Sequence, residues 1–352
     1  MSWTLPALLA AVLAALDATL LRRFAGDLPP ARMVAYPVFW SLPPFLVLLA
    51  VRGLPDLPAP FWLATLVAVP VNMAGHLLTA WAVRLSPVSR TVPYLCFSPA
   101  FVVLHEYLLL GVAPRPAGVA GVLLVVAGSW VLNAGNDAED AAAHVANPAA
   151  MRDAGGAVRR GGGVLARLLR PFRTLATERG SRIMLGVALL WSLGSVLNRQ
   201  MVLHATPAVA GGVFFAIYGP VMLAALMLFG GVRPRMLLDR PLRGATMGAV
   251  LFLAAYAHFT AMSLTTAANM IAVKRLDGVF AVLMDKLADG VRGVRRARER
   301  GGSGVGGVPD AADAADAADT AEARRGTRPT RDGRLPGAAL MAAGAALVVL
   351  SA

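Results

Sequence analysis

Along this chain, apolar stretches of about 20 residues alternate with short breaks that hold most of the prolines and arginines. A stretch of that length, wound as an α-helix, matches the hydrocarbon thickness of a bilayer. Ten are read, at 5–21, 34–51, 61–83, 87–110, 117–133, 183–202, 210–230, 244–263, 265–286 and 335–352. The expected fold class is all-α integral membrane, with ten transmembrane helices. The pattern also repeats. Displaced by 179 positions, Ala82–Gly111 meets Ala261–Gly290. Ala82, Leu85, Phe101, Val103, Leu104, Leu108 and Gly111 fall on identical residues, Ser86 on Thr265, and Glu106 on Asp285. Two halves follow, 1–133 and 181–352, joined by a connector at 134–180.

Two polar stretches interrupt the pattern. The connector is rich in Gly, Ala and Arg. Within it Val164–Ala176 places leucines at helical spacing among Arg167, Arg170 and Arg173, as a helix on an anionic membrane surface would, although Pro171 interrupts it. The second stretch is an insertion at about 291–334. Gly121 and Gly128 match Gly337 and Gly344 at an offset of 216 rather than 179, so the added residues lie before the last span. The insertion carries GGSGVGG and DAADAADAADTAEA, whose acids recur every third residue and build no helix face. Disorder is expected there.

Composition agrees with a membrane chain. It is 57% hydrophobic and 15% charged, and its mean hydropathy is +0.63. The net charge of +13 could suggest nucleic acid, but the arginines lie in loops between spans, so the partners expected are the lipid bilayer and a small-molecule substrate, with no nucleic acid. With ten spans, the loop arginines fall almost entirely on one side. The other side receives only Arg52, Arg115 and Arg199. That asymmetry predicts a multi-pass protein of the cytoplasmic membrane with its long basic loops in the cytoplasm and both termini outside. Arg22-Arg23 follow the first apolar run instead of preceding it, the reverse of a cleavable signal peptide. The single cysteine, Cys96, excludes an internal disulfide and a cysteine metal cluster. Nucleotide-binding, metalloprotease and serine-hydrolase motifs are missing, so no enzyme activity, cofactor or metal is expected.

The candidate chemistry sits inside the spans. In the fourth, Pro87, Pro93 and Pro99 stand six apart and predict a kinked helix beside a solute path. The ninth reads MIAVKRLDGVFAVLMDKLADG. Its six charges share one half of a helical wheel, with Leu276, Phe280, Leu283 and Leu287 opposite, and Lys274 is placed to pair with Asp277. Ionisable residues at membrane depth mark solute and proton paths. Lys274 and Arg275 are the candidates for binding an anionic group, with Asn72, His76, Tyr94 and Asn198 as further substrate-binding candidates. His76, Glu106 and Asp285 are the proton-coupling candidates. The expected place of Glu106 is near a membrane edge. Arg22 and Arg199 correspond at an offset of 177 and end on opposite faces, the mirror placement an inverted repeat predicts. They are expected to anchor at headgroups.

At these residues the chain resembles the EamA family of the drug/metabolite transporter (DMT) superfamily. The carrying motifs are AVRLSPVSRTVPYLCFSPAF with LLLG in 82–111, GVLLVVAGSWVLN at 121–133, ERGSRIMLGVALLWSLGSVLNRQMVLHATP at 178–207, and AMSLTTAANMIAVKRLDGVFAVL at 261–283. The resemblance implies two inverted five-helix repeats around a central cavity. It also implies a secondary transporter moving a small metabolite, amino acid or drug by alternating access, here as an exporter, with protons as the candidate coupling ion. Lys274-Arg275 fall on a basic pair that the family often shows. The Gly-Glu that commonly closes the fourth and ninth helices is here Gly111-Val112 and Gly290-Val291. The alternative functions are a flippase for a lipid-linked intermediate and a non-transporting membrane scaffold.

Overall fold

The computed structural model describes residues 2–86, 91–145, 175, 178–284 and 334–352. These residues are almost wholly helical, and no strand occurs among them. In chain order the helices are α1 (Thr4–Ala25), α2 (Pro30–Arg52), α3 (Ala59–Leu85), α4 (Ser98–Leu110), α5 (Pro116–Val145), α6 (Arg179–His204), α7 (Pro207–Phe229), α8 (Pro241–Leu264), α9 (Ala267–Lys274) and α10 (Arg334–Ser351). Helix resumes after α9 at 277–284. In hydrocarbon a backbone must satisfy its own N–H and C=O groups, which is why the apolar runs become helices. Four helices start on a proline, at Pro30, Pro116, Pro207 and Pro241. At that position the missing N–H has no helical partner to lose. Gly111 ends α4 in the left-handed region, with φ 67°.

Among the described residues, seven helical segments are long and apolar enough to cross a membrane: α1, α2, α3, Pro93–Leu110, α6, α7 and α8. Pro116–Leu132 and Pro336–Ser351 are shorter apolar helices. Three elements depart from the spans read in the sequence. The fourth runs on as one helical segment but changes type: Val92–Phe97 is 3₁₀ and α4 begins at Ser98. Pro93 and Pro99 each occupy the first turn of their own element, where proline fits. The ninth span is broken after Lys274 by a turn at Arg275 and Leu276. The fifth helix continues to Val145, past residue 133 where the connector was expected to start, because no proline occurs before Pro148. Pro87, Asp285, the insertion at 291–334 except Arg334, which starts α10, and all of Val164–Ala176 except Leu175 lie outside the described residues.

Packing joins the two halves helix by helix. α5 lies against α10, α3 against α6, α1 against α8, α2 against α7 and α8, and α4 against α6 and α9. The α5–α10 crossing is antiparallel and close. A Cβ on Gly121 would stand 2.8 Å from the Gly344 carbonyl oxygen, and one on Gly128 would stand 2.7 Å from that of Gly337. Between α3 and α6, a Cβ on Gly194 would stand 3.0 Å from Asn72 Nδ2, and Gly75 lies directly under the Trp191 ring. In a bilayer such small residues let helix backbones approach and gain dispersion contacts.

A second device fixes the elbow between α8 and α9. The Glu106 carboxylate of α4 is 3% exposed. Its two oxygens accept from the backbone N–H groups of Ala267 at 2.7 Å and Ala268 at 3.0 Å. Arg199 of α6 donates to the Met262 carbonyl, in the last turn of α8. An anion thus meets the start of one helix and a cation the end of the other, each complementing the helix dipole. Thr266 adds a cap, accepting from the Asn269 N–H at 3.2 Å. Glu106, one turn from the end of α4, is therefore a buried inter-helix contact and not an exposed charge, because the elbow folds over it. Arg199 is half-buried for the same reason, and only its partner by offset, Arg22, remains exposed.

Two outcomes are expected in thermal unfolding of the detergent-purified protein. Gly128→Leu should cost about 2 kcal/mol or more, because backbone and not a flexible side chain blocks the added atoms; an unchanged Tm would mean the α5–α10 crossing is loose. Glu106→Ala should cost about 2–3 kcal/mol, since two buried donors lose a charged acceptor. Glu106→Gln, which keeps one acceptor oxygen, should lose distinctly less.

Candidate functional site

The break in the ninth span presents two cations to the bundle interior. Lys274 is the last residue of α9, and its Nζ lies 3.4 Å from Nδ1 of His258 on α8. His258 is buried. Arg275, in the turn, donates to the Ser98 hydroxyl at 2.5 Å, and Ser98, the first residue of α4, is 2% exposed. Asp277 does not pair with Lys274 as its spacing suggested. Its Oδ1 accepts from the Gly278 N–H at 2.8 Å, a local turn contact that the Asp-Gly dipeptide favours. Asp277 and, more weakly, Asp17 of α1 lie within electrostatic reach of Lys274, and the Asp17 Oδ1 is buried without a hydrogen-bond partner. Among the described residues no carboxylate stands within 4.0 Å of Lys274 or Arg275; the ion pairs found are Arg32–Asp239 and Arg240–Asp27. Two cations are thus held by an imidazole and a hydroxyl, neither of which supplies a counter-charge. Such an arrangement can receive an anion.

A second cluster lies where α3, α6 and α7 meet. His76 stands between Trp191 and Tyr218, with ring centroids 5.8 and 6.2 Å away. Asn72, one turn earlier on α3, donates to the Ala68 carbonyl at 2.8 Å. Tyr218 is 4% exposed and its hydroxyl has no partner. Asn198 Oδ1 on α6 is buried and likewise unpartnered. Tyr94 is placed differently: it is 1% exposed and packs with Ala82, Met184 and Val187. Of the sequence candidates, the structure thus groups Asn72 with His76 and Lys274 with Arg275, while Tyr94 and Glu106 fall in separate contacts. His258, Trp191 and Tyr218 escaped the sequence reading. His258, an ionisable residue within the apolar run 244–263, was the one with a usable signal.

A cavity of about 370 Å³ opens at the end of the bundle where α8 meets α9. Glu106, Arg115, Arg199, Thr265 and Asn269 line it, together with apolar residues of α4 and α5. It therefore joins the elbow to the surface. Among the described residues no group of three or more His, Cys, Asp or Glu side chains could hold a metal ion.

No curated protein matches the chain. Among the solved structures that match is a crystal structure described only as that of a protein. It shares 18% identity, has a TM-score of 0.62, and covers 99% of this chain and 97% of its own. At that identity the likeness concerns the fold alone, and it runs the whole length of the chain. A family model matches the N-terminal 134 of the 352 residues. Residues 1–134 carry the signature of the EamA-like transporter family, as the resemblance read from the sequence implied, and this is consistent with the DMT superfamily.

Proposed function

We propose that the chain is a secondary transporter that moves a small metabolite, amino acid or drug across the cytoplasmic membrane by alternating access, as an exporter. The observation that carries this reading is the pair Lys274 and Arg275, two cations inside the bundle with neutral partners and no carboxylate within ion-pair distance among the described residues. An anionic group on the solute would complete them. Asn72, His76 and Asn198 line the route, and Tyr94 supports it from the packed cluster. His76 is the proton-coupling residue favoured by its surroundings, since the Glu106 carboxylate is already held by α9. Asp285 remains a candidate from its register with Glu106.

The architecture in this reading is ten spans in two inverted five-helix repeats, 1–133 and 181–352, with the connector 134–180 and the insertion 291–334 on the cytoplasmic side. The helix pairing supports it. A two-fold axis exchanging each helix of the first half with the helix five places later maps the α2–α7, α4–α9 and α5–α10 contacts onto themselves. The same axis maps α1–α8 onto α6–α3, and these are the pairings found. The antiparallel glycine contacts of α5 and α10 obey the same exchange.

A thermal-shift screen of the purified protein against small organic anions, amino acids and drugs tests the reading. A ligand at 100 times its Kd should stabilise the fold by about 2.7 kcal/mol. Arg275→Ala and Lys274→Ala should each abolish that shift while the unliganded protein stays folded. A shift that survives both substitutions would remove the pair from the site. A screen that is flat for solutes but positive for lipids with phosphate headgroups would favour a flippase.

A further inference from the structure

At the end of the bundle opposite the cavity, the two halves are tied together by polar contacts that the transport site does not use. The tie joins the start of α2 and the α1–α2 loop to the segment before α8. Arg32 donates to Asp239 Oδ2 at 2.6 Å and to the Met236 carbonyl at 2.6 Å. Arg240 grips Asp27 with both terminal nitrogens, at 2.9 and 3.3 Å. Behind these pairs, the Tyr36 hydroxyl donates to the Arg240 carbonyl at 2.5 Å and Trp40 Nε1 to the Leu237 carbonyl at 2.9 Å. Every one of these contacts crosses from the first half to the second.

α8 shows that this tie and the cavity lie at opposite ends. The helix begins at Pro241, beside Arg240, and ends at Leu264, which lines the cavity. Twenty-four helical residues span about 36 Å, roughly the thickness of a membrane core. The loops at the cavity end that correspond to the tied ones, under exchange of the halves, are residues 53–58 and the turn at 205–206. Residues 53–58 are largely exposed, and no ion pair among the described residues links the two loops.

We propose that the Arg32–Asp239 and Arg240–Asp27 crossing is a gate, shut in this structure, which closes one end of the bundle while the other end stands open. The proposal rests on the transport reading. The outer pair, Arg240–Asp27, is exposed on both sides, and an exposed ion pair holds weakly and breaks readily, so it suits a contact that must open in each cycle. Arg32 carries the gate inward: it is 17% exposed, against 52% for Asp239. At the outer pair, the hydrogen bond from Arg240 holds the Asp27 carboxyl below its ordinary range, so the pair stays ionised at neutral pH.

Cysteine labelling tests the gate without a known substrate. In a Cys96→Ser background, Ser41→Cys reports from α2 behind Tyr36 and Trp40, where Ser41 is fully buried. Val119→Cys reports from the cavity. A maleimide is added to the full-length protein in lipid vesicles. The double variant Asp27→Asn, Asp239→Asn should raise labelling of Ser41→Cys about tenfold and lower that of Val119→Cys. Exchanging the outer charges, Asp27→Arg with Arg240→Asp, should restore protection of Ser41→Cys. Unchanged labelling of Ser41→Cys in a folded double variant would overturn the gate, as would a charge exchange that leaves Ser41→Cys as reactive as the neutral variant does. Faster labelling of Ser41→Cys with no change at Val119→Cys would support the gate but overturn alternating access.

Discussion

In hydrocarbon there is no water to accept what a helix end leaves over. The α8–α9 elbow is where this constraint bears hardest, because two helices end within a few residues of each other against buried neighbours at the cavity end of the bundle. Their loose ends are met by a carboxylate from α4 and a guanidinium from α6. The rest of the interior depends on that solution. With the elbow fixed, α9 is directed inward and ends at Lys274, and the turn after it presents Arg275 to Ser98.

Charge in this bundle thus has two uses. Glu106 and Arg199 are absorbed by backbone, each satisfied by the dipole of a helix end. Lys274 and Arg275 are held by neutral hydrogen-bond partners, with no carboxylate within ion-pair distance among the described residues. The same distinction separates the orphaned acceptors and hydroxyls. Tyr218 Oη, Asn198 Oδ1 and Asp17 Oδ1 are buried and unpaired, a condition a purely structural residue avoids.

The helices were legible from hydropathy because lipid imposes one rule along the whole chain. Seven segments pass the length and apolarity test for a span, and two shorter apolar helices coincide with the fifth and tenth stretches. The break at Arg275 was harder. Periodicity treats KRLDG as one more turn of helix, whereas the backbone tightens there, with the N–H groups of Leu276 and Gly278 donating three residues back to Val273 and Arg275. The burial of Glu106 was not legible because it is decided by residues some 160 positions away, which no local window contains. The glycines of α5 and α10 were visible as a repeat but not as a contact, since like residues at a fixed offset give no direction of pairing. The crossing of Arg32 and Arg240 left no trace in hydropathy at all, because loop arginines are ordinary in a membrane protein.

α8 carries a mechanical consequence. It is uninterrupted by proline from Pro241 onward, with Arg240 bound at its start and Met262 bound near its end. A rod held at both tips is a lever. Rotating it by about 10° around its midpoint would move each tip by about 3 Å in opposite directions, given a half-length near 18 Å. That displacement is enough to part a hydrogen bond at one tip while compressing the other. The same helix that separates the two membrane faces thus also couples them rigidly.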